Sequence, residues 1–176
     1  MAQDSEQQIG EAIQYGVIAS VDYANATCTV TLGDLTTGEL PWMAQRAGKV
    51  CIWSPPSEGE QCGVLAPEGD LENGMVILGL YSDANPPPSN DPDVTLLELP
   101  DGAIISYNHA SHALAVTLPE GGRATIDAPG GVTFNCDVTV NGKVTASEDV
   151  IGGGISLKSH KHGGVQAGGA QTGAPA

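Results

Sequence analysis

Ala26-Thr27-Cys28-Thr29-Val30-Thr31-Leu32 alternates without a break. Thr27, Thr29 and Thr31 fall on one side of such a run, and Cys28, Val30 and Leu32 on the other. A period of two marks a half-buried strand, because successive side chains of a strand point to opposite faces. Gly33-Asp34 ends the run. Working outward, Tyr15–Val21 precedes it as a second β-rich stretch. Glu39–Gln45, Lys49–Trp53, Gln61–Ala66 and Met75–Tyr81 come after it, with Pro55-Pro56 as a stop between two of them. Five to six short strands over about 70 residues predict a small closed or partly open barrel. An OB-like barrel fits that count, which does not by itself single it out.

The domain organisation follows from changes of composition. Residues 1–14 read as an N-terminal arm; scattered Ile9, Ala12 and Ile13 leave a short helix and a flexible arm both open. Residues 15–84 are the barrel. Residues 85–92, with three consecutive prolines, are a semi-rigid linker. From residue 93 to residue 154 short strand-like runs alternate with turn signals about every ten residues. Val94–Leu99, Ile104–Asn108, Ala113–Leu118, Arg123–Ala128, Val132–Asp137, Val138–Val140 and Lys143–Ala146 are those runs. Asp101-Gly102 and Asn141-Gly142 are the sharpest turns between them. The apolar residues are small, and Phe134 is the chain's single phenylalanine. A lone meander of this kind leaves two edges and one face uncovered. Three chains wound about one axis would cover both; an ordinary sandwich satisfies the same alternation.

Composition bounds the function. In 176 residues there are 24 glycines and 12 prolines, but only 7 Phe, Trp and Tyr together. So thin a core is commonly supplemented by oligomerisation. No apolar run approaches the roughly 20 residues that span a bilayer, and the polar, acidic Met1–Gly10 is unlike a signal peptide. Cys28, Cys51, Cys62 and Cys136 show no C-x-x-C spacing, which argues against a thiolate zinc site and for synthesis in a reducing cytoplasm. Cys28 falls in step with Val30 and Leu32 and reads as a small buried hydrophobe. The net charge is −15. Residues 1–92 hold 13 acids against two bases, Arg46 and Lys49, while residues 93–176 hold 8 acids and 4 bases. Nucleic acid is therefore excluded as a partner, since tracking phosphates needs a basic face.

Ser159-His160-Lys161-His162-Gly163-Gly164 is the stretch with chemistry. In an extended backbone His160 and His162 share one side, with Lys161 facing away. Two imidazoles are too few to hold a metal tightly, so the stretch is either a solvated tail or one share of a site built from several chains. Ile155 and Leu157 alternate just ahead of it, amid glycines that suit closely packed backbones. His109 and His112 lie near a turn and read as surface histidines. Glu58 with Glu60, and Asp70 with Glu72, are the carboxylate pairs to weigh for catalysis. Both sit in turns with no Ser-His-Asp order, Gly-rich phosphate loop or nearby histidine to support catalysis. The alternatives are a sugar- or single-strand-binding barrel, against which the acidic first half and the scarcity of aromatics argue, and a small metallohydrolase; the first needs a monomer, the second an open coordination position.

Trp53-Ser-Pro-Pro-Ser-Glu-Gly-Glu-Gln-Cys62, Leu65-Ala-Pro-Glu-Gly-Asp-Leu71 and Gly74-Met-Val-Ile-Leu-Gly-Leu-Tyr-Ser82 resemble the phage baseplate assembly protein V family, the central spikes of contractile phage tails and of related bacteriocins. Gly154–Gly173 resembles that family's spike-tip motif. Cys62 stands where an aliphatic strand residue is expected. The resemblance implies an all-β chain: an OB-fold barrel, a trimeric intertwined β-helix over residues 93–154 and a metal-bound apex over residues 155–176. It implies one iron ion (Fe2+) per homotrimer, held by His160 and His162 of each chain, and further apex ions without assigned residues. Six imidazoles suit an octahedral ion better than zinc, although affinity order alone would admit nickel or copper. The implied role is mechanical and not enzymatic: a spike driven through the bacterial outer membrane on sheath contraction, partnered by the baseplate hub and tail tube. The acidic barrel is expected to face a basic surface there. Phage and bacteriocin origins are equally compatible with the sequence.

Overall fold

Gly16 sets how closely the first two strands meet. In the computed structural model, which describes residues 12–164 and 168–169, β1 (Ile13–Asp22) pairs antiparallel with β2 (Thr27–Leu32). A Cβ at Gly16 would collide with the Val30 side chain and lie 2.7 Å from Leu32 Cδ2 and 2.8 Å from Thr31 O. Only a residue without a side chain allows that approach. A register shift between Ile18 and Ser20 bends β1 further. The connecting turn is closed by Asp22, whose Oδ1 accepts from the N–H groups of Ala24 (2.9 Å) and Asn25 (3.1 Å). A hydrogen bond from the Asn25 side chain, with these backbone donors, holds the Asp22 carboxyl below its ordinary pKa.

The sheet then closes on itself. β3 (Leu35–Thr36) and β4 (Leu40–Pro41) both pair with β2, β5 (Gln61–Leu65) pairs with the other edge of β1, and β6 (Met75–Leu80) pairs with β5. Past β4, Trp42 bridges Val76 in parallel and Met43 N–H donates to Val76 O at 2.8 Å. The circuit β1-β2-β4-β6-β5-β1 is a five-stranded closed barrel of the OB type. Ile18, Cys28, Val30, Leu40, Cys62, Val64 and Val76 fill it. The alternation in β2 holds: Cys28 and Val30 are buried, while Ser20 Oγ meets Thr29 Oγ1 at 2.7 Å on the outside. Thr37 is buried between β3 and β4; its Oγ1 accepts from Val30 N–H at 3.0 Å and donates to Gly38 O at 2.8 Å, standing in for a missing ladder bond. Cys62 packs in the core as the aliphatic residue would, and burial pushes the Cys28 and Cys62 thiols up to about 11.

Two sequence expectations change here. Lys49–Trp53 is not a ladder strand: one bridge, Ala47 to Cys51, folds it into an exposed loop. Glu39–Gln45 shortens to β4 and the Trp42 bridge, since Pro41 has no N–H for a longer ladder. Residues 84–92 contain no regular structure; Asn85 Nδ2 donates to Gly59 O at 3.3 Å.

β7 (Val94–Glu98), β8 (Ile104–Asn108) and β9 (Ala113–Thr117) form a separate antiparallel meander, close to the sequence runs. Leu97 pairs with Ile105, Ile105 with Val116, and Tyr107 with Leu114, so these five side chains share one face. All five are exposed.

The chain divides into two units, residues 1–123 and 124–176. Among the described residues of the second unit the only ladder joins β10 (Ile151–Gly152) to β11 (Ile155–Ser156). The runs expected as strands between Arg123 and Ala146 find no ladder partner among the described residues. Ile126, Val132, Phe134, Val138, Val140 and Val144 are all exposed. The ten-residue rhythm is nonetheless present: backbone φ is positive at Gly102, His112, Gly121 and Gly131.

Candidate metal centre

The histidine stretch is carried on a short hairpin. Gly153 and Gly154, at φ of 57° and 83°, make the two-residue turn between β10 and β11. Positive φ at both positions is what a type I′ turn demands, and glycine meets it without strain. Leu157 N–H donates to Val150 O at 2.9 Å and extends the pairing. Asp149 fastens the open end: its Oδ1 accepts from the N–H groups of Val150 at 2.8 Å and Lys158 at 3.1 Å. A hydrogen bond from the Ser156 side chain, with these backbone donors, holds the Asp149 carboxyl below its ordinary value.

Ser156 shapes the chain from the hairpin to the first histidine. Its Oγ accepts from Ser159 N–H at 2.9 Å and lies 2.9 Å from Ser159 Oγ. Its carbonyl accepts from His160 N–H at 3.1 Å and meets His160 Nδ1 at 2.9 Å. A carbonyl oxygen only accepts, so Nδ1 carries the proton and the neutral ring's lone pair lies on Nε2. A metal-binding imidazole is commonly arranged in this way, its second nitrogen held by a carbonyl. His160 and His162 do not lie on a ladder strand, as an extended backbone would have it, yet their rings stand together with centroids 5.0 Å apart at 78°. Both are exposed.

The donor set is a partial one. Among the described residues no group of three or more His, Cys, Asp or Glu is placed to hold a metal. The two neighbouring imidazoles, that of His160 held by the Ser156 carbonyl, are donors of the kind a metal takes, but too few to hold one by themselves. The expected apex extends over residues 165–167 and 170–176, which lie outside the described residues, as do residues 1–11 of the arm. Ser156 and Asp149 carry no signal in the sequence, because neither spacing marks a hydrogen bond across a hairpin.

The remaining candidates are occupied by local structure. His109 is exposed, its Nε2 3.2 Å from Pro92 O and its ring edge-on to Tyr107. His112 is exposed in a turn. Glu60 accepts from Ser57 N–H at 3.0 Å. Asp70 accepts from Asn73 Nδ2 at 2.6 Å and Glu72 N–H at 2.9 Å, which lowers its pKa. A proton donor in catalysis needs the opposite shift.

Comparison with known proteins covers both regions. Residues 14–81 match the family described as Type VI secretion system/phage-baseplate injector OB domain. Residues 154–176 match the GpV Apex motif. The spike protein of Escherichia phage P2 is 35% identical over 138 residues, which is 78% of this chain. The chain spans 64% of that relative's length. The barrel and the histidine-bearing end thus match in the order in which the two stand here, and the chain belongs to the phage baseplate assembly protein V family.

Proposed function

We propose that this protein is the central spike of a contractile tail, phage or tail-like bacteriocin, working as a homotrimer that punctures the bacterial outer membrane when the sheath contracts. The carrying observation is uncovered apolar surface. Phe134 is 64% exposed and Val144 72%, and neither is covered by another element among the described residues. Side chains of this kind, repeated along the second unit and on the meander face, call for burial against something. Three copies wound as a β-helix would provide it and would supply the absent ladder partners.

The same assembly gives the histidines their purpose. His160 and His162 from three chains would present six imidazoles to one ion, with Ser156 holding His160 so that Nε2 is free. Iron is the ion the ligand set favours, one per trimer. Bound there, it supplies structural cohesion without an open position for substrate. Additional apex ions have no residues assigned. The chain would be made in the bacterial cytoplasm and built into the particle at the tail tip, against the hub and tube proteins.

Metal analysis of protein purified without a histidine tag tests this reading. One iron per three chains is expected. Zinc, or one metal per chain, would sink the six-histidine site. His160→Ala/His162→Ala should lose the metal and remain trimeric by sedimentation, because the apolar surface and not the ion holds the chains together.

A further inference from the structure

The loop between β4 and β5 differs in chemistry from the rest of the barrel. It is held in shape: Gly48 N–H donates to Val50 O at 3.1 Å, and Ile52 N–H donates to Arg46 O at 3.0 Å. At its base the Trp53 ring lies 5.8 Å from that of Trp42, which packs on the core. Yet Met43, Val50, Ile52 and Trp53 are exposed. Arg46 and Lys49 sit at its tip, both exposed, and they are the only bases in residues 1–92, against 13 acids. Among the described residues neither makes an ion pair with a carboxylate.

We propose that this loop is a clasp between copies of the chain: Arg46 and Lys49 of one barrel dock on the acidic surface of the next, and Val50, Ile52 and Trp53 are covered there. The inference rests on the three-chain assembly proposed for the spike. Charge complementarity selects the occupant. Away from the loop, the barrel carries acids and no base. Three such barrels, each tethered to its own meander by residues 84–92, would repel one another. The loop is the one place on the barrel where a neighbour's acids meet positive charge. A loop on one barrel and an acidic patch on the next make a head-to-tail contact, the type that closes into a ring. Exposed ion pairs contribute little each, so the apolar side chains supply the adhesion and the charges set partner and register. Tryptophan, methionine and arginine are also the residues interfaces favour, and a pre-shaped loop loses little freedom on docking.

Zero-length carbodiimide coupling of the full, untagged chain tests the clasp, because it joins an amine to a carboxylate only where they touch. Sedimentation comes first. In the trimer, boiled denaturing gels should show covalent multimers, and peptide mapping should join Lys49 to a carboxylate within residues 12–92. Lys49→Arg, which keeps the charge and removes the amine, should stay trimeric and lose that link. Arg46→Glu/Lys49→Glu should remain trimeric through its other contacts but lower the barrel's melting temperature. A trimer whose Lys49 stays uncoupled, or couples only after a baseplate protein is added, overturns the clasp and leaves the trimer standing. A monomer overturns the three-chain reading and the clasp with it.

Discussion

The barrel and the second unit use the same kind of residue in opposite ways. In the barrel every strand has a neighbour from its own chain, and Val30, Val64 and Val76 are fully buried. In residues 124–164 Val132, Val138 and Val140 recur with a similar rhythm but remain at least half exposed. Alternation declares which side chains want burial; it does not say which chain will bury them. The barrel answers locally, through a bridge from Trp42 to Val76 that closes the sheet. Among its described residues the second unit has one two-residue ladder and leaves those side chains uncovered.

A pair of truncations breaks or sharpens that contrast, and carries the largest expected effect. Leu40→Ala removes a fully buried side chain and should cost about 2–5 kcal/mol. Phe134→Ala, judged on one chain, should cost no more than about 0.5 kcal/mol, as surface changes do. Covered by two other copies, it should instead cost about 3–5 kcal/mol. We expect the larger loss, with a urea midpoint that rises with protein concentration. A concentration-independent midpoint and a silent Phe134→Ala would mean that the second unit owes nothing to other copies.

Gly16→Ala comes next, and it addresses the barrel alone. The new methyl group would press on Val30 and on the Thr31 carbonyl, a backbone atom that cannot swing aside. Overpacking of this kind costs about 1–3 kcal/mol. The loss should appear in denaturant melts followed by tryptophan fluorescence, since Trp42 packs against the same core. The apex should keep its metal, and a variant that lost both would show that the two regions fold as one.

These differences also mark what the sequence could disclose. β2 was legible because three threonines and three apolar residues alternate between its two faces. β7, β8 and β9 were legible because Asp101-Gly102 and the Asn108 turn punctuate them; Asn108 Oδ1 accepts from the N–H groups of Ala110 and Ser111. β3 was not, being two residues long. Lys49–Trp53 looked like a strand because Val50, Cys51, Ile52 and Trp53 favour extended backbone. Their side chains instead face outward from a loop, and propensity does not distinguish a core strand from an exposed contact surface. At the candidate site the pairing of His160 with His162 was readable from spacing, whereas the proton on Nδ1 was not. It depends on where the Ser156 carbonyl lies, and only the hairpin's geometry fixes that.

Asp149 offers the smallest and most local test. Its carboxylate ties Val150 and Lys158 together across the mouth of the hairpin. Because folding lowers its pKa from 3.8, the folded hairpin favours the ionised form. The contribution is therefore complete above pH 3.8 and fades as the pH falls through the depressed folded value. Asp149→Ala should remove it at every pH, raising the exchange rate of the Lys158 amide several-fold at neutral pH while leaving the barrel's melt in place. Asp149→Asn, which keeps an acceptor oxygen without the charge, should fall between. If Lys158 exchanged no faster in Asp149→Ala, the hairpin would be held by other chains rather than by its own clamp. The second unit would then differ from the barrel even where it has a ladder of its own.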